Sequence, residues 1–456
     1  MAGLIGICCN LQNRHYTATL DCASKTLEIK NHDGELLKAH RGATKAIKID
    51  RVGNSTEIDL LNDRYRVFYN SLIEEAWKAV EKEQKEQSES FFKDVGVAYE
   101  EHAQDFHKTL NIVVIGNVSS GKSSLINALL MRTRKNAIAE VGVKAGVTTK
   151  LNVFRLDERV RLIDSPGLGD VREENSQTTQ DFLKNIDVGI LVVTGAIDAS
   201  QKQYFDDLKQ SCRSVFLVLN KRDEWDRYNP KALTDIIQQW KDCLKADKVY
   251  PVCTFGYDPQ LPPDTPLDVR GVIQLREDIE SFLDSQGKKL LLARHMTEKR
   301  SYALGIIIAA VVAVGVQAAF PGKAFFITAT QVAAIGSLYY LYTGKILSKG
   351  AALAILPVFA GQAIATNVFL FFTSFIPPTG IVEVAAAITA ISITGAMLAS
   401  VNFVLSTGLE LSEEDILKSK FREYREKMER KLKKFAFTDI TKIGSLNFRD
   451  IIDGLI

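Results

Sequence analysis

No stretch constrains the fold of this chain more than Asn111–Asn127, NIVVIGNVSSGKSSLIN. The apolar run Ile112–Ile115 reads as a buried strand, Gly116 opens a tight loop, and a helix starts at Lys122. Gly116, Gly121, Lys122 and Ser123 satisfy G-x-x-x-x-G-K-[ST], the spacing at which successive backbone N–H groups curl inward around an anion. Glycine at both ends permits the turn and the close approach, and the helix N-terminus adds a partial positive charge. The loop as a whole (Gly116, Asn117, Val118, Ser119, Ser120, Gly121, Lys122, Ser123, Ser124) is expected to cradle the phosphates of a nucleotide. Lys122 would reach the β- and γ-phosphates, and the Ser123 hydroxyl would ligate Mg²⁺.

Three further motifs bear on which nucleotide it is. Asp164-Ser165-Pro166-Gly167 closes the apolar strand Val160–Ile163 and reads as D-x-x-G. Its aspartate would hold a Mg²⁺-bound water, and the Gly167 N–H would sense the γ-phosphate. After the apolar run Val215–Leu219 comes Asn220-Lys221-Arg222-Asp223, an N-K-x-D. A carboxylate at Asp223 accepts from N1–H and the 2-amino group of guanine, whereas adenine offers neither donor, so such a site rejects adenine strongly. Val252-Cys253-Thr254 ends the next strand-like run, where a loop would back the base. Each motif alone is as easily a surface loop; all four in this order, each at a strand end, point to GTP rather than ATP.

On these residues, the segment from about 110 to 285 resembles a translation-factor-class GTPase domain of the Era-like branch. The resemblance implies an α/β domain with a mixed, mostly parallel sheet, GTP/GDP and Mg²⁺ as ligands, and a switch I threonine on the metal at Thr148 or Thr149. Two departures matter. Leu168 stands where Ras-like proteins carry a water-orienting glutamine. Ser119 stands where potassium-activated Era-like enzymes have asparagine, which leaves a monovalent cation beside Mg²⁺ open. The spelling Ser-x-Gly-Lys-Ser-Ser is similar to dynamin-type GTPases, although the Asn-Lys of the base motif is not. The resemblance gives catalytic roles to Lys122, Ser119, Thr148, Thr149 and Gly167. With no glutamine, a group supplied in trans would position water, so slow hydrolysis as a monomer and stimulation by self-association are expected.

The rest of the chain divides by pattern. Its 456 residues are near neutral overall, at +2, which gives no reason to expect nucleic acid. Six cysteines without a C-x-x-C read as reduced and cytosol-facing. Residues 1–54 read as a small β-rich segment, with Thr26–Lys30 alternating and Asp33-Gly34 as a hairpin turn. Residues 55–109 read as helical: Ile58, Leu61, Tyr65, Phe68 and Leu72 recur at threes and fours. Residues 110–286 form the GTPase domain. Residues 287–408 form a hydrophobic helical domain and 409–456 a basic amphipathic helix and tail. The fold class expected is therefore an α/β P-loop GTPase domain flanked by helical segments, with an all-α hydrophobic C-terminal half.

Between 301 and 407 the only charged residues are Lys323, Lys345, Lys349 and Glu383. Four apolar stretches, Tyr302–Phe320, Ala324–Thr343, Ala351–Ile376 and Ile381–Thr407, approach or exceed the ~20 residues needed to cross a bilayer. Lys345 and Lys349 fall in the loop that would return to the cytosol, as the positive-inside rule expects, so the GTPase domain and both termini would face the cytoplasm. The same stretches are rich in Ala, Gly, Ser and Thr, which also suits a tight bundle in water; both readings stay open. After the capping box Ser412–Asp415, the residues Leu417, Phe421, Tyr424, Met428, Leu432 and Phe435 mark one face of a basic helix. That face suits an anionic membrane surface or packing on the N-terminal helices.

This layout resembles bacterial membrane-associated GTPases that carry a C-terminal domain of uncharacterised function and, by architecture alone, immunity-related GTPases and small dynamin-like proteins. It implies a lipid membrane and a homodimer or larger homo-oligomer as partners, with GTP turnover driving membrane remodelling. Two alternatives remain: a membrane-anchored switch that recruits a partner, and a soluble GTPase with a packed bundle.

Overall fold

The computed structural model describes residues 89–139, 152–165, 185–258, 260–262, 264–318, 324–360, 381–432 and 448–456, together with the backbone of the strands before residue 61. Those strands are β1 (Leu4–Leu11), β2 (Arg14–Asp21), β3 (Thr26–Lys30), β4 (Leu36–Arg41), β5 (Ile47–Val52) and β6 (Ser55–Leu60). The first four form an antiparallel sheet in sequence order, and β5 and β6 form a separate hairpin. The hairpin corrects the helical reading of residues 55–60. Val52 pairs with Ser55, leaving Gly53-Asn54 between them, a two-residue hairpin signal that outweighs the coincidental helical spacing of Ile58 and Leu61. Residues 61–88 lie outside the described set, and a helix, α1, covers 89–103.

The middle of the chain is built from continuous apolar runs, as strands covered on both faces require. Strands β7 (Leu110–Ile115), β9 (Val160–Ser165), β10 (Ile186–Val193), β11 (Cys212–Leu219) and β12 (Val249–Pro251) run parallel, with β8 (Asn152–Arg155) antiparallel at one edge. The order is β12-β11-β10-β7-β9-β8. Strand β7 therefore lies where the order reverses, with β9 on one side and β10 on the other; open α/β sheets bind ligands at the carboxyl edge of such a point. Helices α2 (Lys122–Leu129), α3 (Ala199–Ser211), α4 (Pro230–Leu244) and α5 (Val272–Ser285) follow the strands. Val113, Ile115, Leu191 and Leu217 pack with Phe205 and Trp240 on one face. On the other, Ile112, Val114, Ile190 and Val218 join α2, α5 and the C-terminal helices in one continuous core.

The C-terminal half comprises α6 (Lys289–Ala293), α7 (Arg300–Ala318), α8 (Ala324–Thr343), α9 (Lys349–Ala354), α10 (Leu356–Ala360), α11 (Ile381–Ser406), α12 (Glu414–Leu432) and α13 (Phe448–Asp453). The expected third apolar span does not start as one rod: α9 and α10 break at Ile355. Pro357 explains the break, because its ring clashes with the carbonyl four residues back and its nitrogen carries no proton. Helix α12 lays its apolar face (Leu417, Phe421, Tyr424, Met428, Leu432) along α11, with Met428 against Gly395 and Phe421 against Phe359. The face offered as a membrane or N-terminal contact is thus covered by α11. Buried polar groups tie the bundle: Gln331 donates to Thr394 at 2.8 Å, and the Tyr342 hydroxyl to Asn402 at 2.8 Å.

One turn joins the two halves. Asp157, between β8 and β9, accepts from the backbone N–H groups of Arg159 (2.6 Å) and Val160 (2.8 Å). It also meets Arg294 at 3.1 Å and the His295 Nε2 at 2.9 Å. Arg294 in turn lies over the Tyr340 ring and donates to the Gly344 carbonyl at the end of α8. Burial alone would raise the Asp157 carboxyl, but the two N–H donors and the charge of Arg294 hold it below its usual value. Burial pushes His295 down to about 4, only partly opposed by Asp157. Its folded pKa lies below the unfolded value, so the contribution to stability is present above pH ~6.5 and is lost as pH falls through the window below it. Through His295 alone, acidification from pH 7 to 5 should cost about 2 kcal/mol, read as a drop in denaturation midpoint; His295→Gln should remove that part and leave the part due to His102, which burial also lowers.

Candidate nucleotide site

The two loop glycines are there because no side chain fits. Gly116 has φ +153°, and a Cβ on it would lie 2.1 Å from the Val192 carbonyl of β10. Gly121 has φ +88°, and a Cβ there would meet the Asn220 amide at 2.2 Å. Ser119 also adopts a left-handed φ of 62°, a conformation that costs a non-glycine residue energy. The Lys122 ammonium folds over the loop, donating to the Gly116 and Asn117 carbonyls at 3.1 and 3.2 Å. Ser120 and Lys122 are buried, while Val118 is exposed. Ser124 is buried in α2.

Strand β9 ends beside the loop, at Asp164 and Ser165. Asp164 is fully buried, accepts from the Ser123 hydroxyl at 2.6 Å, and has its other carboxylate oxygen without a hydrogen-bond partner. Lys122 lies 4.0 Å from that second oxygen. Burial raises the Asp164 carboxyl above its usual value, and Ser123 and Lys122 pull it only partway back. Burial likewise lowers Lys122, partly offset by Asp164. A hydroxyl and an under-coordinated carboxylate side by side are hard oxygen donors, so these residues fit Mg²⁺. Thr148, Thr149, Gly167 and Leu168 lie outside the described residues.

Asn220 connects the parts. Its side chain donates to the Ser120 carbonyl at 2.9 Å and accepts from Thr254 at 3.1 Å, so the phosphate loop and the base-backing loop are braced by one amide. Lys221 has a φ of 59°, which turns the chain sharply after β11. Asp223 follows, with the Cys253 thiol donating to its Oδ1 at 3.2 Å. Cys253 is fully buried, and burial, followed by the neighbouring carboxylates, pushes its thiol up to about 12, so it acts as a donor and not as a nucleophile. Arg270 pairs with both Asp226 and Asp268 and accepts the Cys253 N–H at its carbonyl, holding the two base loops together.

The structure thus brings together the loop, Asp164, Asn220, Lys221, Asp223, Cys253 and Thr254 at one sheet edge. It adds one residue that the sequence reading passed over. Asp198 accepts from Asn117 of the loop at 3.1 Å and caps α3 reciprocally with Gln201. The signal was Asp198-Ala199-Ser200-Gln201, a capping box immediately before a helix. Asp198→Ala should lower stability by about 1 kcal/mol in denaturant titration while leaving guanine selectivity intact.

Strand β7, the glycine-rich loop, the buried Asp164 and the Asn220–Asp223 and Val252–Thr254 loops in this arrangement define a P-loop nucleotide-binding domain of the GTPase class. Residues 111–221 match the family model described as 50S ribosome-binding GTPase. Over 128 residues the chain is 32% identical to a probable GTP-binding protein EngB of Streptococcus pyogenes serotype M49, covering 25% of this chain and 62% of that protein. It is 25% identical over 167 residues to GTPase Der of Nitratiruptor sp., covering 34% of each. A crystal structure of a probable GTP-binding protein engB aligns with 38% of this chain and 99% of that one at 18% identity and a TM-score of 0.27, a likeness too slight to support a structural inference. The chain spans less than two thirds of the length of the EngB proteins it matches. The C-terminal helices lie outside the matched family segment.

Proposed function

We propose that this protein binds GTP with Mg²⁺ and hydrolyses it to GDP. The observation that carries the reading is the Asn220 brace: one side chain ties the phosphate loop to the loop that backs Asp223, so phosphate and base are gripped by a single unit. The loop N–H groups and Lys122 would hold the β- and γ-phosphates, and Asp223 would accept from the guanine edge. Ser123, Asp164 and either Thr148 or Thr149 would hold the metal. A Mg²⁺ ion held by these oxygens would supply charge neutralisation at the phosphoryl group. Gly167 would sense the γ-phosphate. Leu168 gives no group to orient water, which supports slow turnover alone and activation through a homodimer or larger homo-oligomer, with Ser119 and a monovalent cation as the remaining contributors near the loop. Calorimetry with GTP, GDP and ATP tests the first part; ATP bound more tightly than GTP would end it. Turnover that is fast and independent of protein concentration would end the second.

The same reading makes the protein membrane-associated, with the GTPase domain and both termini in the cytoplasm, acting in membrane remodelling. Two helices, Arg300–Gln317 and Phe325–Thr343, are long and apolar enough to cross a bilayer, and this supports it. A second reading, a soluble GTPase with a packed bundle, is favoured by α12: its ion-paired Lys418, Lys420, Arg425 and Lys427 lie along a helix packed on α11, and the Phe325–Thr343 window is 61% buried within the fold. Flotation with liposomes, with and without a non-hydrolysable GTP analogue, followed by a carbonate wash, separates them. Protein that stays at the bottom of the gradient in both nucleotide states would reject the membrane reading.

A further inference from the structure

We infer that Phe255 is the platform on which the purine ring of the bound nucleotide stacks. This role rests on the guanine-nucleotide reading and deepens it: Asp223 takes the edge of the base, and Phe255 takes its face. Phe255 directly follows Thr254 of the base-backing loop and is 45% exposed. It belongs to neither hydrophobic core among the described residues. A phenyl ring left bare beside a ligand site gains most when a second flat surface covers it.

The backbone sets where that ring stands. The Cys253 N–H donates to the Arg270 carbonyl at 2.9 Å, and the Phe255 N–H donates to the Asp268 carbonyl at 3.1 Å. The Asp268 N–H returns a bond to the Phe255 carbonyl at 3.0 Å, closing an antiparallel bridge. Bonds from N–H groups two residues apart to one partner strand mark extended chain, in which residues i and i+2 share a face. The side-chain partners show the same alternation. Thr254 donates to Asn220 at 3.1 Å, toward the phosphate loop, whereas the Cys253 thiol donates to Asp223 at 3.2 Å. Phe255 therefore stands on the Asp223 side, one step beyond Cys253. Two residues of extended chain cover about 6.6 Å, a span that one purine bridges, so a base held at its edge by Asp223 brings its rings to Phe255. The loop is fixed in this form without a ligand. Arg270 clamps Asp268, and Gly256, at φ +104°, has the Pro266 carbonyl 2.7 Å from where a Cβ would lie. A platform already in place loses little freedom on binding. Because every base has a π-face, the contact adds affinity without choosing among bases; the choice stays with Asp223.

The test uses the full chain. Phe255→Trp puts an indole at the platform, and its emission, taken as the difference from wild type with its three tryptophans, should be quenched by GDP and left unchanged by pyrophosphate with Mg²⁺. Phe255→Ala should weaken GDP and inosine diphosphate by one common factor, roughly 5- to 150-fold, in calorimetry. Pyrophosphate affinity and melting temperature should stay at their wild-type values in that variant, since the ring is exposed. Emission from Phe255→Trp that GDP does not move would overturn the platform. So would equal loss of GDP and pyrophosphate in Phe255→Ala, which would show that the residue holds the loop and not the base. Wild-type GDP affinity in Phe255→Ala, together with lost self-association in sedimentation, would assign the ring to a protein interface instead. Wild-type preference for ADP over GDP would end the guanine reading alone; the platform would still stand if ADP then quenched Phe255→Trp and bound Phe255→Ala more weakly.

Discussion

Asp223→Ala should weaken GDP binding by roughly 10²- to 10⁴-fold and leave the weak binding of ADP where it was. The carboxylate would accept two donors from guanine, and hydrogen bonds to a charged partner are each worth about 1.5–3 kcal/mol. The geometry favours the upper part of that range, because the Cys253 thiol holds Asp223 by Oδ1 and the backbone around it is pinned by Arg222 N–H to the Val252 carbonyl at 2.9 Å. A carboxylate already oriented loses little entropy on binding. Asp223→Asn sharpens the test. Asparagine keeps one acceptor and replaces the other with a donor, so it should trade guanosine for xanthosine diphosphate, whose 2-position is an oxygen. Calorimetry with the three diphosphates reads both variants; equal loss of GDP and ADP binding in Asp223→Ala would show that the residue holds the fold and not the base.

Gly116→Ala should abolish nucleotide binding and lower the melting temperature together. The added methyl group would lie 2.1 Å from the Val192 carbonyl and 3.0 Å from the Ser120 hydroxyl. The first of these is backbone of β10, and Gly189–Leu191 of that strand pair with Val113–Ile115 of β7, so relief requires parting two central strands or abandoning the loop conformation. Either outcome costs at least about 3 kcal/mol, the upper end of what single substitutions ordinarily cost. Thermal denaturation by circular dichroism together with GDP titration measures both effects. Unchanged stability would overturn the prediction, since it would mean that the clash with β10 is relieved without cost.

Much of this was legible in the residues. Motifs built on glycine and charge, such as Gly116, Gly121, Lys122, Asp164 and Asn220–Asp223, show in sequence because their spacing is set by backbone geometry within a few residues. The parallel sheet was legible for a related reason: strands buried on both faces read as unbroken apolar runs. What stayed hidden depends on partners far away in sequence. Asp157 looks like any acidic residue in a surface turn, and nothing local announces Arg294 and His295. The apolar face of α12 was plain, but its cover, α11, was not, because a periodic stripe states that something is buried and not against what. Residues 55–60 look helical because two apolar residues three apart fit a helix as well as chance does, whereas the Gly53-Asn54 pair sets the two-residue turn of a hairpin.

The turn at Asp157 has a mechanical implication. Strands β8 and β9 connect the segment containing Thr148 and Thr149 to the aspartate of the D-x-x-G, and the far tip of that hairpin is bolted to the junction before α7 and, through Arg294, to the end of α8. One residue of slippage along a strand is about 3.3 Å, more than the slack of an ion pair whose partners already stand at 3.1 Å. A hairpin displaced by even a single step must therefore snap the bolt or drag the helical half with it, which makes the C-terminal helices a load on the β8–β9 hairpin.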